Sequence, residues 1–549
     1  MAIELSSFFC FDIHSSIPLA LVLCVSMPEA PGTHITGKQR FPLVVPAIIA
    51  AIYFLAHLAT ATRYGYFRDA LYYLACSEHL AWGYVDQPPL IVFIAWFARH
   101  TLGVSLPALL VWPALAGAAR IVLTGSFASE LGANKFGTAL AAVLAATPAV
   151  WYVNDHQFAM NALEPLFWTG CAFAVARMIH TNNPKWWLVF GAIAGLGLEN
   201  KYSIATFAFF LLAGLLLTPQ RKFLFSPWIL AGGFTALLFF LPNVLWNIQH
   251  HWPFLELMRN IRASGRDVVS SPAAFLAQQI LIMTPATLPF WLGGLWFYFS
   301  AAGEKFRAFG WAFIFTIGFF LLAHGKNYYS APAYPLVLAA GAVAAENFLA
   351  KTRLAARLRM RTALKVAMFA WLFIGIMLLL PIVFPVLPIE AYLRYQKHLP
   401  FGVPKSEHNQ DQATLPQHYA DEFGWEDMVA RVASVYHSLT PEEQSRTAIF
   451  ANNYGEAGAV DFFGSKYGLP KAICTHQNYF LWGPRNYTGE IVIRIGSKPE
   501  DARDYYESVS VAATLSNPYA MPYERKPILL CRHRKKNLQT DWPDIKNWD

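Results

Sequence analysis

Charged residues are scarce in this sequence. The chain has 549 residues, of which 56% are hydrophobic and only 14% are Asp, Glu, Lys or Arg. A soluble globular protein carries roughly 25% charged residues, so the deficit argues against a soluble chain and favours one embedded in lipid. The net charge of +8 does not indicate nucleic-acid binding, because much of the basic excess lies in short loops between apolar stretches.

Cysteine is also sparse, and its spacing matches no metal-binding motif. Four of the six cysteines lie in or beside apolar segments, where single buried thiols are common: Cys10, Cys24, Cys76 and Cys171. Cys474 and Cys531 both lie in the C-terminal part. They could pair if that part faces an oxidising compartment, although spacing alone does not show proximity.

The N-terminus lacks the pattern of a signal peptide. Residues 17–25 are mostly apolar but reach only about half of a bilayer span, and no Lys or Arg precedes them. We expect residues 1–40 to be a poorly ordered extension, or to lie upstream of a true start at Met27.

Long apolar runs are what the sequence has in abundance. About eleven of them lie between residues 41 and 387, and most approach the ~20 residues that cross a hydrocarbon core. The fifth and sixth are short and could be tilted or partly re-entrant. The predicted spans are 41–59, 105–127, 136–153, 157–178, 186–200, 203–218, 226–246, 273–300, 306–323, 330–348 and 365–387.

Basic residues occupy alternate loops between these runs. Because short cytoplasmic loops are enriched in Lys and Arg, this alternation predicts a cytoplasmic N-terminus, and an odd number of spans then leaves the C-terminal part outside. One outer loop, at about 247–272, departs from the rule with Arg259, Arg262 and Arg266. The basic residues of the inner loops are Lys38, Arg40, Lys135, Arg177, Lys185, Arg221, Lys222, Lys305, Arg307, Lys351, Arg353, Arg357, Arg359, Arg361 and Lys365.

From about residue 388 the composition becomes that of a soluble domain. We predict an α-helical polytopic membrane protein with three parts: the extension at 1–40, a transmembrane domain at 41–387 and a small extracytoplasmic α/β domain at 388–549. Within the last part we expect strands at 447–451 and 491–495, helices at 455–467 and 501–510, and a loosely ordered tail from Arg532 onward.

The acidic candidates for chemistry are concentrated at the predicted outer face. Asp69 follows the first span, and its carboxylate can accept a proton from a hydroxyl or an amine. Alternatively, the carboxylate is an interfacial anion that caps the helix that follows. Asp86 precedes two prolines that predict a rigid turn. Asp155 opens the fourth span. Glu164 lies about two turns inside that span, where an ionisable residue is either functional or a hydrogen-bonded structural carboxylate.

Two lysines lie at outer ends of spans, at Lys201 and Lys326. Each can be an interfacial anchor whose ammonium reaches the lipid surface. Together with the outer arginines they can instead hold a phosphate or pyrophosphate through charge-assisted hydrogen bonds.

The motifs around these residues resemble the bacterial members of glycosyltransferase family 39, the group of dolichyl-phosphate-mannose:protein mannosyltransferases. Lipid A aminoarabinose transferases share the same GT-C architecture. The resemblance covers residues 41–350 well. It rests on Tyr64-Gly65-Tyr66, Arg68-Asp69, the Trp-Gly-Tyr-Val-Asp-Gln-Pro-Pro run at 82–89, Asp155, the Asn-Ala-Leu-Glu-Pro run at 161–165, Asn200-Lys201-Tyr202-Ser203, His250-His251-Trp252-Pro253 and Lys326-Asn327-Tyr328-Tyr329. In the tail domain, residues 453–459 and 482–484 also resemble the bacterial subgroup.

This resemblance implies transfer of a sugar from a polyprenyl-phosphate carrier, with inversion at the anomeric carbon and no metal or only weak divalent-metal dependence. It implies that Asp69 is the base or orients the acceptor, and that Asp155 is the second acidic position. Family members commonly carry Asp-Glu in the first loop, whereas this chain has Asp69-Ala70, which leaves Asp86 or Glu164 as substitutes. The implied substrate-binding residues are Arg68, Asp86, Glu164, Lys201, His250, His251, Lys326, Tyr328 and Tyr329.

The sequence therefore predicts a multi-pass membrane glycosyltransferase, in a bacterial inner membrane, with its catalytic loops outside. Its partners would be the lipid-linked donor, membrane lipid, and a protein, lipid or glycan acceptor, with no nucleic acid. Two alternatives stay open at this point. One is a transporter of lipid carriers or solutes. Inverted repeats would favour it, and the sequence does not show them. The other is an inactive relative that binds glycolipid.

Overall fold

A computed structural model of the protein describes residues 43–265, 270–351, 358–399 and 413–549. The predicted extension at 1–40, and Arg266, Arg353 and Arg357, lie outside the described residues. The N-terminal part is a helical bundle, and the C-terminal part contains a five-stranded sheet with short helices.

The bundle is built from apolar helices of several lengths. Among the described residues, six are long and apolar enough to cross a membrane, or up to eight when each of two bent pairs counts as one span. The helices are Val44–Thr60, Arg68–Cys76, Leu90–Thr101, Leu106–Glu130, Lys135–Ala146, Ala149–Asn154, Met160–Thr181, Trp186–Leu198, Ser203–Leu216, Trp228–Gln249, Pro253–Ser264, Pro272–Ile282, Leu288–Phe299, Arg307–Leu322, Tyr334–Lys351, Leu358–Met377, Leu380–Val383 and Ile389–Gln396.

The outer helices of the bundle expose large apolar side chains. In Trp228–Gln249, Leu230 is 77% exposed and Phe234 is 61% exposed. Patches of this kind are rare on soluble monomers, whereas in a bilayer they face lipid. Between helices, small residues allow close packing: a Cβ on Gly294 would lie 1.9 Å from the carbonyl oxygen of Val337, so the two helices meet backbone to backbone.

Two predicted spans are interrupted. The stretch 273–300 bends by 91° between Pro272–Ile282 and the following helical segment, where Thr284 has a left-handed φ of 62° and Pro285 follows it. The stretch 136–153 divides into two helices before Pro148. Proline cannot supply the backbone N–H that a continuous helix needs, which accounts for both breaks. The predicted figure of eleven spans requires the shorter apolar helices as well.

The two ends of the bundle differ in their polar contacts. At one end, Arg177 donates a 2.9 Å hydrogen bond to Glu130, and Lys222 donates a 2.8 Å bond to Asn182. The opposite end carries the ammonium of Lys201 and the helix Arg68–Cys76, and it contacts the C-terminal part. Glu164 and its partner Lys201 therefore lie near the start of the helix Met160–Thr181, and the Arg177 contact lies near its end.

The sheet of the C-terminal part combines parallel and antiparallel strands. Its strands are β1 (Thr447–Ala451), β2 (Ile473–Cys474), β3 (Ile491–Arg494), β4 (Tyr506–Ala513) and β5 (Ile528–Arg534), in the order β2-β1-β3-β5-β4. β1 is parallel to both β2 and β3, with Thr447 opposite Ile491. β5 is antiparallel to β3 and β4. The associated helices are Gln417–Ala420, Trp425–His437, Pro441–Arg446, Tyr454–Phe463, Asn478–Trp482, Pro499–Arg503 and Leu538–Asp541.

One face of this sheet packs against the membrane domain. Ile449 and Ile493 share a core with Leu71 of the helix Arg68–Cys76. The alternate residues point to the opposite face, where Val492 and Leu529 pack beneath Trp542. One face of the sheet therefore packs on the helix Arg68–Cys76, and the other packs on the C-terminal segment that contains Trp542.

The structure confirms some predictions for the C-terminal part and corrects others. The strand at 447–451 and the helix beginning near 455 are confirmed. The predicted helix at 501–510 is wrong: the helix ends at Arg503 and β4 follows, because this segment pairs with β5. The expectation of a loose tail is also wrong, since Trp542 and Trp548 are buried.

Cys474 and Cys531 are both free thiols. They lie on β2 and β5, which are three strand spacings apart in the sheet, or roughly 14 Å. A disulfide requires Cα atoms within about 7 Å. The pairing considered from the sequence therefore does not form in this fold.

Candidate active site

A cavity of about 820 Å³ lies where the membrane domain meets the C-terminal part. Both parts contribute side chains to it. From the membrane domain come carboxylates, an arginine, a lysine and a set of apolar side chains. From the C-terminal part come amides, tyrosines and a histidine, together with Lys526 and Asp549. Its predicted site residues are Arg68, Asp69, Asp86, Glu164, Lys201 and Tyr329.

One wall of the cavity is apolar. The helix Pro253–Ser264 is amphipathic, and the same face presents Leu257, Met258 and Ile261 to the cavity. Phe319 and Phe320, near the end of Arg307–Leu322, continue this surface. Such a wall can hold a hydrocarbon chain through the hydrophobic effect.

Asp69 lies in the first turn of the helix Arg68–Cys76 and faces the cavity. Its side chain is 27% exposed, and Oδ1 accepts a 2.8 Å hydrogen bond from the Tyr454 hydroxyl. The Arg68 guanidinium lies 3.7 Å from the same oxygen and donates a 2.7 Å bond to the Tyr523 hydroxyl. The N-cap of this helix is Phe67, which makes no side-chain capping bond, and the position of Asp69 in the first turn is also one where the helix dipole favours a carboxylate.

Asp86 occupies the rigid turn predicted from its prolines. Its Oδ1 accepts a 2.9 Å hydrogen bond from the Tyr72 hydroxyl. Burial raises the pKa of Asp86 to about 7, and the bond from Tyr72 opposes this shift. The neighbouring amide of Val85 donates to the side chain of Asn478, 3.2 Å away. Asp86 is therefore partly protonated near neutral pH, and the C-terminal part fixes its turn.

Lys201 and Glu164 form an ion pair at the edge of the cavity. The lysine Nζ lies 2.8 Å from Glu164 Oε2 and 2.8 Å from Asn161 Oδ1, and it sits 5.0 Å above the ring of Tyr329. The hydroxyl of Ser203 donates to the other carboxylate oxygen of Glu164. Glu164 thus has two polar partners that compensate an intramembrane carboxylate, and Lys201 is oriented rather than extended into the lipid surface.

Five of the predicted site residues do not line this cavity. Asp155 is fully buried in the bundle, where Arg120 and Tyr53 hydrogen-bond to its Oδ2 at 2.7 and 2.8 Å. A Cβ on Gly117 would lie 2.2 Å from that oxygen, so glycine makes room for the carboxylate. The other four are His250, His251, Lys326 and Tyr328.

These four lie in different surroundings. The ring of His250 stacks on Trp246, with centroids 4.1 Å apart. His251 is exposed in a left-handed conformation with φ of 59°. Lys326 precedes the short helical turn Asn327–Ala333. Tyr328 packs edge-on against Tyr329, one residue from the cavity lining.

Reasoning from the sequence missed the contribution of the C-terminal part to the cavity. Tyr454 and His476 stack with centroids 5.1 Å apart, and Gln477, Tyr523 and Lys526 also line the space. Burial and the nearby Asp69 raise the pKa of the Tyr454 hydroxyl, against the influence of Arg68, so it remains protonated and donates. The position of Asn452-Asn453-Tyr454 directly after β1 was the available signal, because loops after parallel strands commonly bind ligands.

Comparisons with known proteins show what this chain is similar to. A family model described as dolichyl-phosphate-mannose-protein mannosyltransferase matches residues 86–246. The structure is similar to ArnT from Cupriavidus metallidurans bound to undecaprenyl phosphate, with a TM-score of 0.56 and 12% identity over 88% of this chain and 97% of that chain. The apo state of ArnT gives a TM-score of 0.55 and 14% identity over the same shares. No curated protein matches the chain by sequence.

These findings confirm the resemblance and the fold class predicted from the sequence. The chain has the helical membrane architecture with a small C-terminal sheet domain that was expected of the GT-C group. At this level of identity, the likeness to ArnT is one of fold.

Proposed function

We propose that this protein is an integral-membrane glycosyltransferase that moves a sugar from a polyprenyl-phosphate carrier to an acceptor at the extracytoplasmic face. The observation that carries the proposal is the cavity itself. It places an apolar wall, an oriented lysine and three carboxylates of the membrane domain around one space of about 820 Å³. A lipid-linked phosphosugar needs these three surroundings together, because one end is hydrocarbon and the other is polar and charged.

The donor lipid occupies the apolar wall in this proposal. Its prenyl chain would lie against Leu257, Met258 and Ile261, and its phosphate would reach the boundary where Lys201 meets Tyr329. The matching family transfers mannose from dolichyl phosphate, as its description states, and ArnT binds undecaprenyl phosphate. Both support a lipid phosphate as the donor of this chain.

The transfer step assigns a role to each polar group. The acceptor oxygen attacks the anomeric carbon, and the bond from that carbon to the phosphate oxygen breaks with inversion. Asp69 takes the proton of the acceptor. The phosphate leaves with the bonding electron pair, and Lys201 and Arg68 stabilise its developing charge. The step as proposed requires no metal ion.

Asp86 and Glu164 take the place of the second carboxylate expected in the first loop. Ala70 is buried against the core and lies away from the cavity lining. Asp86, with its pKa of about 7, can hold a proton and donate it to a sugar hydroxyl. Glu164 orients Lys201. Asp155 supports the site from a distance, as the partner of Arg120 within the bundle.

The test is the substitution Asp69→Asn, which preserves size and removes the charge. The purified variant in lipid nanodiscs is incubated with lipid-linked sugars and acceptor-containing membrane extract, and free polyprenyl phosphate is quantified by mass spectrometry. We expect loss of at least about a hundredfold in turnover, since removal of a general base costs 10²–10⁴. Asp427→Asn, an exposed carboxylate on the helix Trp425–His437, is the matched control.

Wild-type turnover in Asp69→Asn would remove the assignment of this residue as the base. Absence of turnover in the wild type would favour one of the two alternatives. A transporter would move intact lipid-linked sugar between leaflets, and an inactive relative would retain it without movement.

A further inference from the structure

The C-terminal part presents a group of uncharged polar side chains to the cavity, beside the charged residues Lys526 and Asp549. We call the residues Asn452, Asn453, Tyr454, His476 and Gln477 the polar wall. They follow β1 and β2 directly. In open α/β sheets, ligands bind beyond the carboxyl ends of parallel strands. They bind at the point where the strand order reverses, so that one neighbouring strand lies on each side. β1 is such a strand, because β2 lies on one side of it and β3 on the other.

Gln477 gives independent evidence that a ligand binds here. Its side chain is buried, with only 4% of the residue exposed, and Oε1 has no hydrogen-bond partner within the described ranges. Nε2 donates to the main-chain oxygen of Asp549 at 3.2 Å. A buried amide oxygen left unpaired costs about 1–3 kcal/mol. A ligand donor that reached Oε1 after a shift of this side chain toward the cavity would remove that cost.

The backbone of Gln477 is also strained. Its φ of 50° and ψ of −133° belong to a region that favours glycine. Strain of this kind costs of order 1–3 kcal/mol and concentrates at binding sites. Glycine would adopt this backbone conformation with less strain, yet the residue is a glutamine that lines the cavity.

The polar wall is continuous with the proposed base. The Tyr454 amide lies 3.3 Å from His476 Nδ1, and the Tyr454 hydroxyl donates to Asp69. An acceptor held by Gln477 and the stacked pair of Tyr454 and His476 would therefore bring its own hydroxyl close to Asp69.

We infer that the polar wall is the acceptor subsite and that the acceptor is an uncharged carbohydrate. This inference rests on the proposed function. Amides and a tyrosine hydroxyl match the donors and acceptors of sugar hydroxyls, and the stacked aromatic pair offers a flat surface to a sugar ring. A phosphorylated acceptor would bring a further negative charge to a lining that already holds Asp69 and Asp549, while the proposed mechanism uses Lys201 and Arg68 for the phosphate of the donor. The remaining cation of this lining, Lys526, donates a 2.9 Å hydrogen bond to the main-chain oxygen of Gly496. A peptide acceptor would typically use a strand edge or an apolar groove, and the polar wall offers neither.

The test measures acceptor binding apart from transfer. The wild-type chain in nanodiscs is studied by saturation-transfer difference NMR with mannotriose, cellotriose and chitotriose as neutral probes, and with glucose 1-phosphate and an uncharged serine/threonine peptide as rivals. We expect at least one neutral sugar to bind better than either rival. In Gln477→Gly that signal should fall by about tenfold, consistent with one lost hydrogen bond.

Gln477→Gly suits this test because glycine relieves the backbone strain, so the variant should fold at least as well as the wild type. Gln539→Ala, which removes an exposed amide from the same part of the chain, is the control and should bind normally. Stronger binding of the phosphosugar or the peptide, no sugar signal, or an unchanged signal in Gln477→Gly would overturn the inference. Release of polyprenyl phosphate, measured in parallel, reports on the proposed function separately.

Discussion

The hydrogen bond from Tyr454 to Asp69 links residues that are 385 positions apart, and Tyr454→Phe removes it with little other change. The phenylalanine ring keeps its packing on Tyr72 and His476, whose centroids lie 4.7 and 5.1 Å away. A hydrogen bond to a charged group contributes about 1.5–3 kcal/mol. If Asp69 needs this bond to hold its orientation during proton transfer, kcat should fall by about tenfold or more.

The donor KM distinguishes a loss of Asp69 orientation from a general disturbance of the cavity. The proposed lipid contacts at Leu257 and Lys201 are distant in sequence from Tyr454 and belong to other walls of the cavity. We therefore expect the donor KM of Tyr454→Phe to stay within about twofold of the wild type while kcat falls. The measurement is steady-state kinetics of polyprenyl phosphate release at varied donor concentration.

Tyr436→Phe is the matched control. The Tyr436 hydroxyl donates to the main-chain oxygen of Gln444, 3.2 Å away, and is remote from the cavity lining. This variant should retain both kinetic constants. An unchanged kcat in Tyr454→Phe, or a raised donor KM with kcat intact, would refute the role given to the tyrosine.

Three further predictions concern charged groups. Lys201→Met should weaken donor binding by about tenfold or more while acceptor binding is retained, as measured by isothermal titration with polyprenyl phosphate; equal donor affinity would return the lysine to an anchoring role. Asp86 binds more protons in the folded state than unfolded between its ordinary pKa of 3.8 and about 7, so stability contributed by this group falls as pH rises through that window. Asp86→Asn should therefore flatten the decline of Tm across it, and an unchanged slope would contradict the assignment. Arg120→Met and Asp155→Asn should each destabilise the protein by about 3–5 kcal/mol, because each leaves a buried polar partner uncompensated; melting in detergent that shows either variant as stable as the wild type would count against the buried pair.

Much of the membrane fold could be predicted because its signal is local. A run such as Leu106–Glu130 is long and apolar, and its helix follows from those two properties. The break at Thr284-Pro285 was less apparent, since a proline after a threonine occurs in continuous helices as well. Its effect depends on the surrounding packing, where the Thr284 hydroxyl donates to the carbonyl of Thr147.

The candidate site was predictable in its residues and less so in their grouping. Asp69, Asp86 and Lys201 were identified from motifs, and the cavity brings them together. Asp155 belonged to the same motif set, yet it pairs with Arg120, a residue 35 positions away within another apolar run. Sequence spacing does not reveal which helix faces which, so this partner could not be deduced.

The contribution of the C-terminal part to the site could not be predicted either, because it depends on contacts between residues far apart in the sequence. Its first strand was predicted correctly at Thr447–Ala451, and the run after it was noted for its resemblance. What the sequence did not indicate was that Tyr454 reaches a carboxylate of the first outer loop. That contact requires the sheet to pack through Ile449 and Ile493 on the helix of Asp69, a feature of the assembled fold.

The most direct test of the account is the fate of the lipid carrier. Wild-type protein in nanodiscs is incubated with lipid-linked sugars and membrane extract, and both free polyprenyl phosphate and newly glycosylated product are quantified by mass spectrometry. The account predicts that the two accumulate in equal amounts in the wild type and that neither accumulates with Asp69→Asn. Intact lipid-linked sugar that is only bound, or only moved across the bilayer, would contradict it.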